Sequence, residues 1–285
     1  MEKKKIAGKT EEEVYKKLGL AYINPEMRES SGEIEAAREG KLPELIGYDD
    51  VLGDCHMHTT WSDGALSTEE MIKACIARGY AYCAITDHSK SQHVANGLDE
   101  KRLVKHCDEI NLLQKKYPGI KILKGAEIDI LADGSLDYKP KTLELLDFRI
   151  GALHSGFKQP KEQATKRLVA AIESGYLHII GHPTGRLING RNPIEFDLDL
   201  VFAAAKKNNV AFEINANPAR LDLKDVHIRA ALQKGCKLMI NTDAHSEENL
   251  NFMNLGIAQA RRGWTTKEDV VNTWEWKKVE KWLVR

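Results

Sequence analysis

The chain of 285 residues carries no net charge, because Lys and Arg number 42 and so do Asp and Glu. That balance excludes a bulk basic field for gathering nucleic acid or an anionic membrane, so any phosphate ligand must be held by local charge. Cysteine is sparse: Cys55, Cys75, Cys83, Cys107 and Cys236 are odd in number, scattered and without a C-x-x-C pair. A disulfide framework is excluded, and reduced thiols in the cytoplasm are expected. No run approaches 18 apolar residues, and the lysines of the N-terminus are not followed by an apolar segment, which argues against a membrane span and a secretory signal. There is no G-x-G-x-x-G or Walker sequence to cradle a nucleotide.

What is present is an ordinary globular composition, 42% hydrophobic and 29% charged. Residues 1–50 are charged and punctuated by Gly19, Pro25, Gly32, Gly40, Pro43 and Gly47, with two helix-like runs, 10–18 and 33–39; they read as an appendage. From Val51 to the end a second unit, 51–285, alternates strand-length apolar runs with amphipathic helical ones. Seven strands are predicted, at 53–58, 82–88, 120–130, 148–155, 177–183, 211–218 and 237–245. Helices fall between most of them, at 67–78, 100–116, 162–174, 198–207 and 226–234; the first opens on the S-x-x-E capping box of Ser67 and Glu70 and stops at Gly79. Seven strand–helix units predict a parallel sheet closed, or nearly closed, into an α/β barrel.

In such a barrel the C-terminal ends of the strands converge on one face, where sites are built. Six of the seven strands end in metal-ligand side chains: His56 and His58, His88, Glu127, His154, His182, and Asp243 with His245, while Asp63 follows the first strand closely. In the H-x-H and D-x-H pairs, residues two apart share a side and can grip one ion, which puts Cys55 and Met57 on the other side as packing residues. Imidazole mixed with carboxylate, without thiolate, suits Zn, Mn or Fe better than Mg or Ca. Nine ligands exceed the need of one ion and suit two to three divalent transition-metal ions with positions open to substrate. His93, His106, His178 and His227 fall outside the pattern and are expected on the surface or in the core.

Arg186 and Arg191 after the fifth strand, and Arg220 after the sixth, are candidates for binding substrate phosphates. Glu213, Asn215 and Asn217 share one face of the sixth strand, placed to orient metal-bound water or ligating histidines, with inward barrel packing the alternative for Glu213. Trp61 lies near the site, in a core or rim role or as a stacking platform for a base.

These segments resemble the polymerase and histidinol phosphatase (PHP) family: HMH at 56–58, TDHS at 86–89, GAEID at 125–129, LHSG at 153–156, GHP at 181–183 and TDAH at 242–245. The resemblance implies a distorted seven-stranded TIM-like barrel with a trinuclear metal site. It would put His56, His58, Glu127 and Asp243 on one ion, Glu127 with His154 and His182 on a second, and Asp63, His88 and His245 on a third. His56, His58, Glu127, His154 and Asp243 would then carry the catalysis. HTTWSDG, LADGSLDY, EINANPARLDL, INTDAHS and ARRGWTTKEDVVNTW are most similar to the C-terminal PHP domain of family X DNA polymerases, in which the N-terminal segment resembles the chain joining a polymerase core, encoded elsewhere or removed. The activity implied is metal-dependent phosphoester hydrolysis at DNA 3' ends, as a Mn-dependent 3'-5' exonuclease and 3'-phosphatase acting in DNA repair, without polymerase activity in residues 1–285. Two alternatives remain open: a small-molecule phosphatase acting on a phosphorylated metabolite such as histidinol phosphate, and a non-catalytic, metal-stabilised scaffold.

Overall fold

The computed structural model describes residues 7–284. Two short helices, α1 (Glu11–Lys17) and α2 (Glu33–Glu39), precede the barrel. The barrel then runs β1 (Gly53–Asp54), α3 (Thr68–Ala77), β2 (Tyr82–Ile85), α4 (Glu100–Lys116), β3 (Lys121–Asp129), α5 (Pro140–Leu143), β4 (Phe148–Ala152), α6 (Lys161–Glu173), β5 (Ile179–Ile180), α7 (Leu198–Lys207), β6 (Ala211–Asn215), α8 (Asp225–Gln233), β7 (Leu238–Asn241), α9 (Met253–Arg262) and α10 (Trp276–Leu283). The seven strands pair in chain order, all parallel. Closure comes just past the strand ends, where Met57 bridges Ala244 and the His58 amide donates to the Ala244 carbonyl at 2.8 Å. This seam sets the H-x-H segment beside the D-x-H segment.

The predicted helices form where periodicity and caps placed them. Ser67 and Glu70 make the reciprocal capping box, and Gly79 follows α3 at φ 74°. The strands are shorter than predicted, above all β1 and β5 with two residues each. Apart from Glu127 within β3, the predicted ligand residues lie beyond the strand ladders, and His182 and Asp243 take left-handed backbone there, at φ 25° and φ 55°. Left-handed conformations of non-glycine residues are costly and persist where the surroundings impose them, commonly at functional sites.

Alternation along the strands divides the core. Tyr82, Ala84, Leu123, Phe148, Ile150, Ile179, Ala211 and Met239 fill the barrel with Cys55, and Val279 and Trp282 of α10 join this cluster as a plug. Met57, Cys83 and Ile85 pack instead with Met71, Ile72 and Cys75 of α3. Cys55 and Met57 therefore do not share a side as strand parity predicts, because β1 ends at Asp54 and the pleat is not continued; Cys55 is nonetheless a packing residue. All five cysteines are free and buried.

Residues 20–50 do not hang from the barrel. Ile23, Met27 and Ala37 form a small core with Leu20, Leu42, Leu45 and Trp264, and Arg261 at the end of α9 ties Glu26 (2.7 Å) and the Ile46 carbonyl (2.7 Å) to the barrel. Among the described residues no helix is long and apolar enough to cross a membrane.

Candidate metal centre

All nine predicted side chains converge at the barrel mouth. They form overlapping groups whose ligand atoms lie within 4.8 Å of one another: His58, Asp63, His88 and His245; His56, His182 and Asp243; His56, His58 and Glu127; His88, Glu127 and His154. Glu127, fully buried on β3, is the hub. One oxygen, Oε2, lies 3.5 Å from His56 Nε2, 3.6 Å from His58 Nε2 and 2.8 Å from His88 Nδ1. The other, Oε1, lies 3.2 Å from His154 Nε2 and 2.7 Å from His182 Nε2. Asp243 Oδ1 stands 3.1 Å from His58 Nε2 and 3.5 Å from His56 Nε2. Asp63 Oδ1, on the outer side, stands 3.4 Å from His245 Nε2, 3.7 Å from His88 Nε2 and 3.9 Å from His58 Nδ1.

These residues fit a metal cluster on two grounds. Ligand atoms about 2.1 Å from a tetrahedral ion are about 3.4 Å apart, the scale of the separations found here. Moreover His56 Nε2, His58 Nδ1 and His182 Nδ1 are buried without a hydrogen-bond partner, and His88 Nδ1 and Glu127 Oε2 stand 2.8 Å apart without forming a hydrogen bond. So many orphaned polar atoms in one place would be costly unless a ligand satisfied them.

The surrounding residues aim the ligands. Glu213 takes His56 Nδ1 at 2.7 Å and the His182 amide at 2.6 Å, and Asn215 and Asn241 hold its oxygens at 3.1 and 3.0 Å. The orienting alternative for Glu213 is therefore the one found, and Asn215 joins in by donating to Asp243 Oδ2 at 3.1 Å. Asn217 instead caps its own loop by accepting the Ala219 amide. Asp129, which sequence reasoning passed over, accepts His154 Nδ1 at 2.5 Å and is braced by Gln92. Its position two residues after Glu127 on the same strand was the available signal. Asp87 was also missed: fully buried, it accepts the Thr59 amide and hydroxyl at 2.8 Å each and the Ser62 hydroxyl at 2.5 Å, fixing the turn that carries Asp63.

Electrostatics keep the carboxylates in ligand form. Burial works against the Glu127 anion, but His154, His88 and His56 outweigh it and hold the carboxyl well below its ordinary range. Asp243 is likewise held down against burial by His56 and His58. Burial also opposes the Asp63 anion, yet the His245 hydrogen bond and neighbouring histidines bring it to about 2. For His58, burial and the adjacent His88 and His245 lower the pKa to about 4, leaving a neutral imidazole at pH 7.

The arginines separate. Arg220 lines the cleft over the cluster, 3.5 Å from Asp243 Oδ2, and its Nη1 has no hydrogen-bond partner. Arg186 donates to the carbonyls of Arg220 and Leu221, while Arg191 donates to the Gly185 carbonyl and covers the Phe157 ring at 3.6 Å. Neither lines the cleft, because loop backbone claims both guanidinium groups. Trp61 takes the core role: it stacks on His106 and donates to Glu109. His106 and His178 are buried, His227 half-buried and His93 exposed, as expected of histidines outside the pattern.

Comparison with known proteins agrees with this geometry. The PHP domain model matches residues 54–217, and the DNA polymerase beta thumb model matches residues 1–29. The DNA polymerase/3'-5' exonuclease PolX of Bacillus subtilis is 47% identical over 97% of this chain, which spans 48% of that protein's length. The probable phosphatase YcdX of Escherichia coli O81 is 37% identical over 57% of this chain and 63% of that one. In fold, the chain is similar to a histidinol phosphate phosphatase from Lactococcus lactis solved with zinc, L-histidinol and phosphate, at a TM-score of 0.54 and 18% identity over 75% of this chain and 94% of that one. With seven parallel strands, a His and carboxylate cluster at their ends and a family model matched over more than half its length, the chain belongs to the PHP family of metal-dependent phosphoesterases.

Proposed function

We propose that this chain hydrolyses phosphoester bonds at DNA 3' ends, as a 3'-5' exonuclease and 3'-phosphatase, using two to three divalent ions. The choice of a chain end rests on the 47% identity, over 97% of this chain, to a protein named as a 3'-5' exonuclease. The cleft over the cluster is open on its outer side, which leaves room for a phosphate carried at the end of a longer chain. Residues 1–50 are read as chain joining this domain to a polymerase core, in line with the thumb match, and the reduced, buried cysteines suit a cytoplasmic enzyme.

His56, His58, Glu127 and Asp243 would hold one ion, Glu127 with His154 and His182 a second, and Asp63, His88 and His245 a third. Such ions supply the charge that polarises a phosphoester and acidifies water. The protein's part is orientation: Glu213 and Asp129 fix His56 and His154 with Nε2 facing Glu127, and the Asp87 network fixes the turn bearing Asp63. Arg220, with an unpaired Nη1 over the cluster, would bind a non-bridging phosphate oxygen.

The test is turnover of a 3'-recessed duplex, a 3'-phosphate end and histidinol phosphate with Mn, Zn or Fe, before and after chelation. The proposal expects chelation-sensitive release of 3' nucleotides or phosphate. Turnover of histidinol phosphate with none at DNA ends would replace it with the small-molecule reading, and no hydrolysis of any phosphoester would favour the scaffold.

A further inference from the structure

The loop after β2 holds an apolar side chain in open solvent at the edge of the metal cluster. Val94 is fully exposed, with a relative exposure of 101%, yet it lines the same cleft as His88, Glu127, His154, Asp243 and His245. The loop bearing it is pinned from every side. Ser91 binds the Asp137 carboxylate through its amide (2.7 Å) and hydroxyl (2.6 Å), and Gln92 donates to Asp129 at 2.9 Å. The amides of Ala95 and Gly97 both return to the Gln92 carbonyl, at 3.1 and 2.9 Å. Arg102 of α4 clamps the Asn96 and Gly97 carbonyls, and Asn96 reaches across to the Trp61 carbonyl at 3.2 Å. The turn also demands glycine at 97, where a Cβ would lie 2.0 Å from the Ser89 carbonyl oxygen.

A loop this constrained cannot fold Val94 away, so the exposure is built in. A single exposed valine elsewhere on a surface needs no explanation. At the mouth of a phosphoester site it faces whatever is attached to the phosphate. The cleft is otherwise polar and charged, and the groups that hold a phosphate offer no apolar contact to a base carried beside it. Ala95, beside Val94, is the other apolar residue lining it.

We infer that Val94 and Ala95 form a ledge for the base of the 3'-terminal nucleotide, making Val94 a specificity-determining residue. The inference rests on the proposed DNA-end activity. The ledge supplies non-polar contact to any flat base, and so selects a nucleoside next to the phosphate without reading its identity. Its preorganisation means that little ordering accompanies binding.

The test compares 3'-recessed duplexes ending in a normal nucleotide and in an abasic (tetrahydrofuran) nucleotide, using the full chain loaded with Mn. The wild-type protein should prefer the base-bearing end. Val94→Ala removes two methyl groups and Val94→Thr keeps the shape while exchanging one methyl for a hydroxyl. In both, the ratio of kcat/KM for base-bearing over abasic ends should fall about three- to tenfold, mainly through KM, as expected for methyl groups partly buried by the base. Thermal melts check that an exposed loop substitution leaves the fold intact. An unaltered ratio in both variants would overturn the ledge while leaving the 3'-end activity standing. Wild-type protein that cleaves neither end would instead overturn the activity itself, and the ledge with it.

Discussion

Glu213 provides a sharp test of how the cluster is held, because it touches no substrate and is wholly buried. Its Oε1 accepts His56 Nδ1 at 2.7 Å and Asn241 Nδ2 at 3.0 Å, and its Oε2 accepts the His182 amide at 2.6 Å and Asn215 Nδ2 at 3.1 Å. Glu213→Gln keeps the shape but replaces one accepting oxygen with an NH2 group. Whichever way the amide turns, it sets two donors against two donors, at His56 and Asn241 or at His182 and Asn215. Loss of such an orienting partner commonly weakens metal binding by about 10–100-fold, or about 1.4–2.8 kcal/mol. The fold should survive, since removing a buried carboxylate also relieves a desolvation cost. Competition titration with a chromophoric chelator reads the affinity directly, without activity. Unchanged affinity and full stoichiometry in the variant would refute the claim that Glu213 aims His56 and His182.

Further consequences follow from particular residues. Burial raises the Asp222 carboxyl from 3.8 to about 6, although it accepts the Thr184 amide and hydroxyl. The unfolded chain thus loses its proton first as pH rises, and the native fold loses stability between about pH 4 and 6, by up to about 3 kcal/mol at pH 7. Asp222→Asn should escape this loss, so denaturant midpoints of variant and wild type should draw apart across that window; a pH-independent difference would contradict it. Trp282→Ala empties the α10 plug, where the indole packs in the barrel interior and donates to Asn209 at 3.1 Å, and should cost about 3–5 kcal/mol by chemical denaturation. Arg220→Ala should lower kcat/KM on DNA ends at least tenfold, whereas Arg191→Ala should act mainly on thermal stability, through its lost contacts with Phe157 and Gly185; equal kinetic losses would erase the distinction.

The convergence of nine candidate ligand side chains was legible in the sequence because barrel geometry turns strand ends into a single address. His88, Glu127, His154 and His182 needed only their place at the ends of successive apolar runs. Glu213 was ambiguous for a physical reason: on an inward-facing strand position, a packing residue and an orienting residue leave the same pattern. The arginines mark the limit of such reading. Arg186, Arg191 and Arg220 are all in loops on the catalytic side, but a loop's own unpaired carbonyls compete for guanidinium groups, and only the folded chain shows that Arg186 and Arg191 are claimed this way. Strand lengths were overpredicted at 53–58 and 177–183, where the ladders stop at Asp54 and Ile180; in the second, His182 turns left-handed two residues on, which its residue type does not announce. The docking of residues 20–50 left no periodic signal, since it depends on a few contacts such as Ile23, Met27 and Ala37 against Trp264.

The central claim, a cluster of ions built around Glu127, is tested most directly by elemental analysis together with anomalous diffraction of protein reconstituted with Mn or Zn. Two to three ions per chain should appear, each within about 4 Å of its neighbour as in two-metal phosphoesterase sites, with Glu127 between the inner pair. A single isolated ion, or none after reconstitution, would contradict the account.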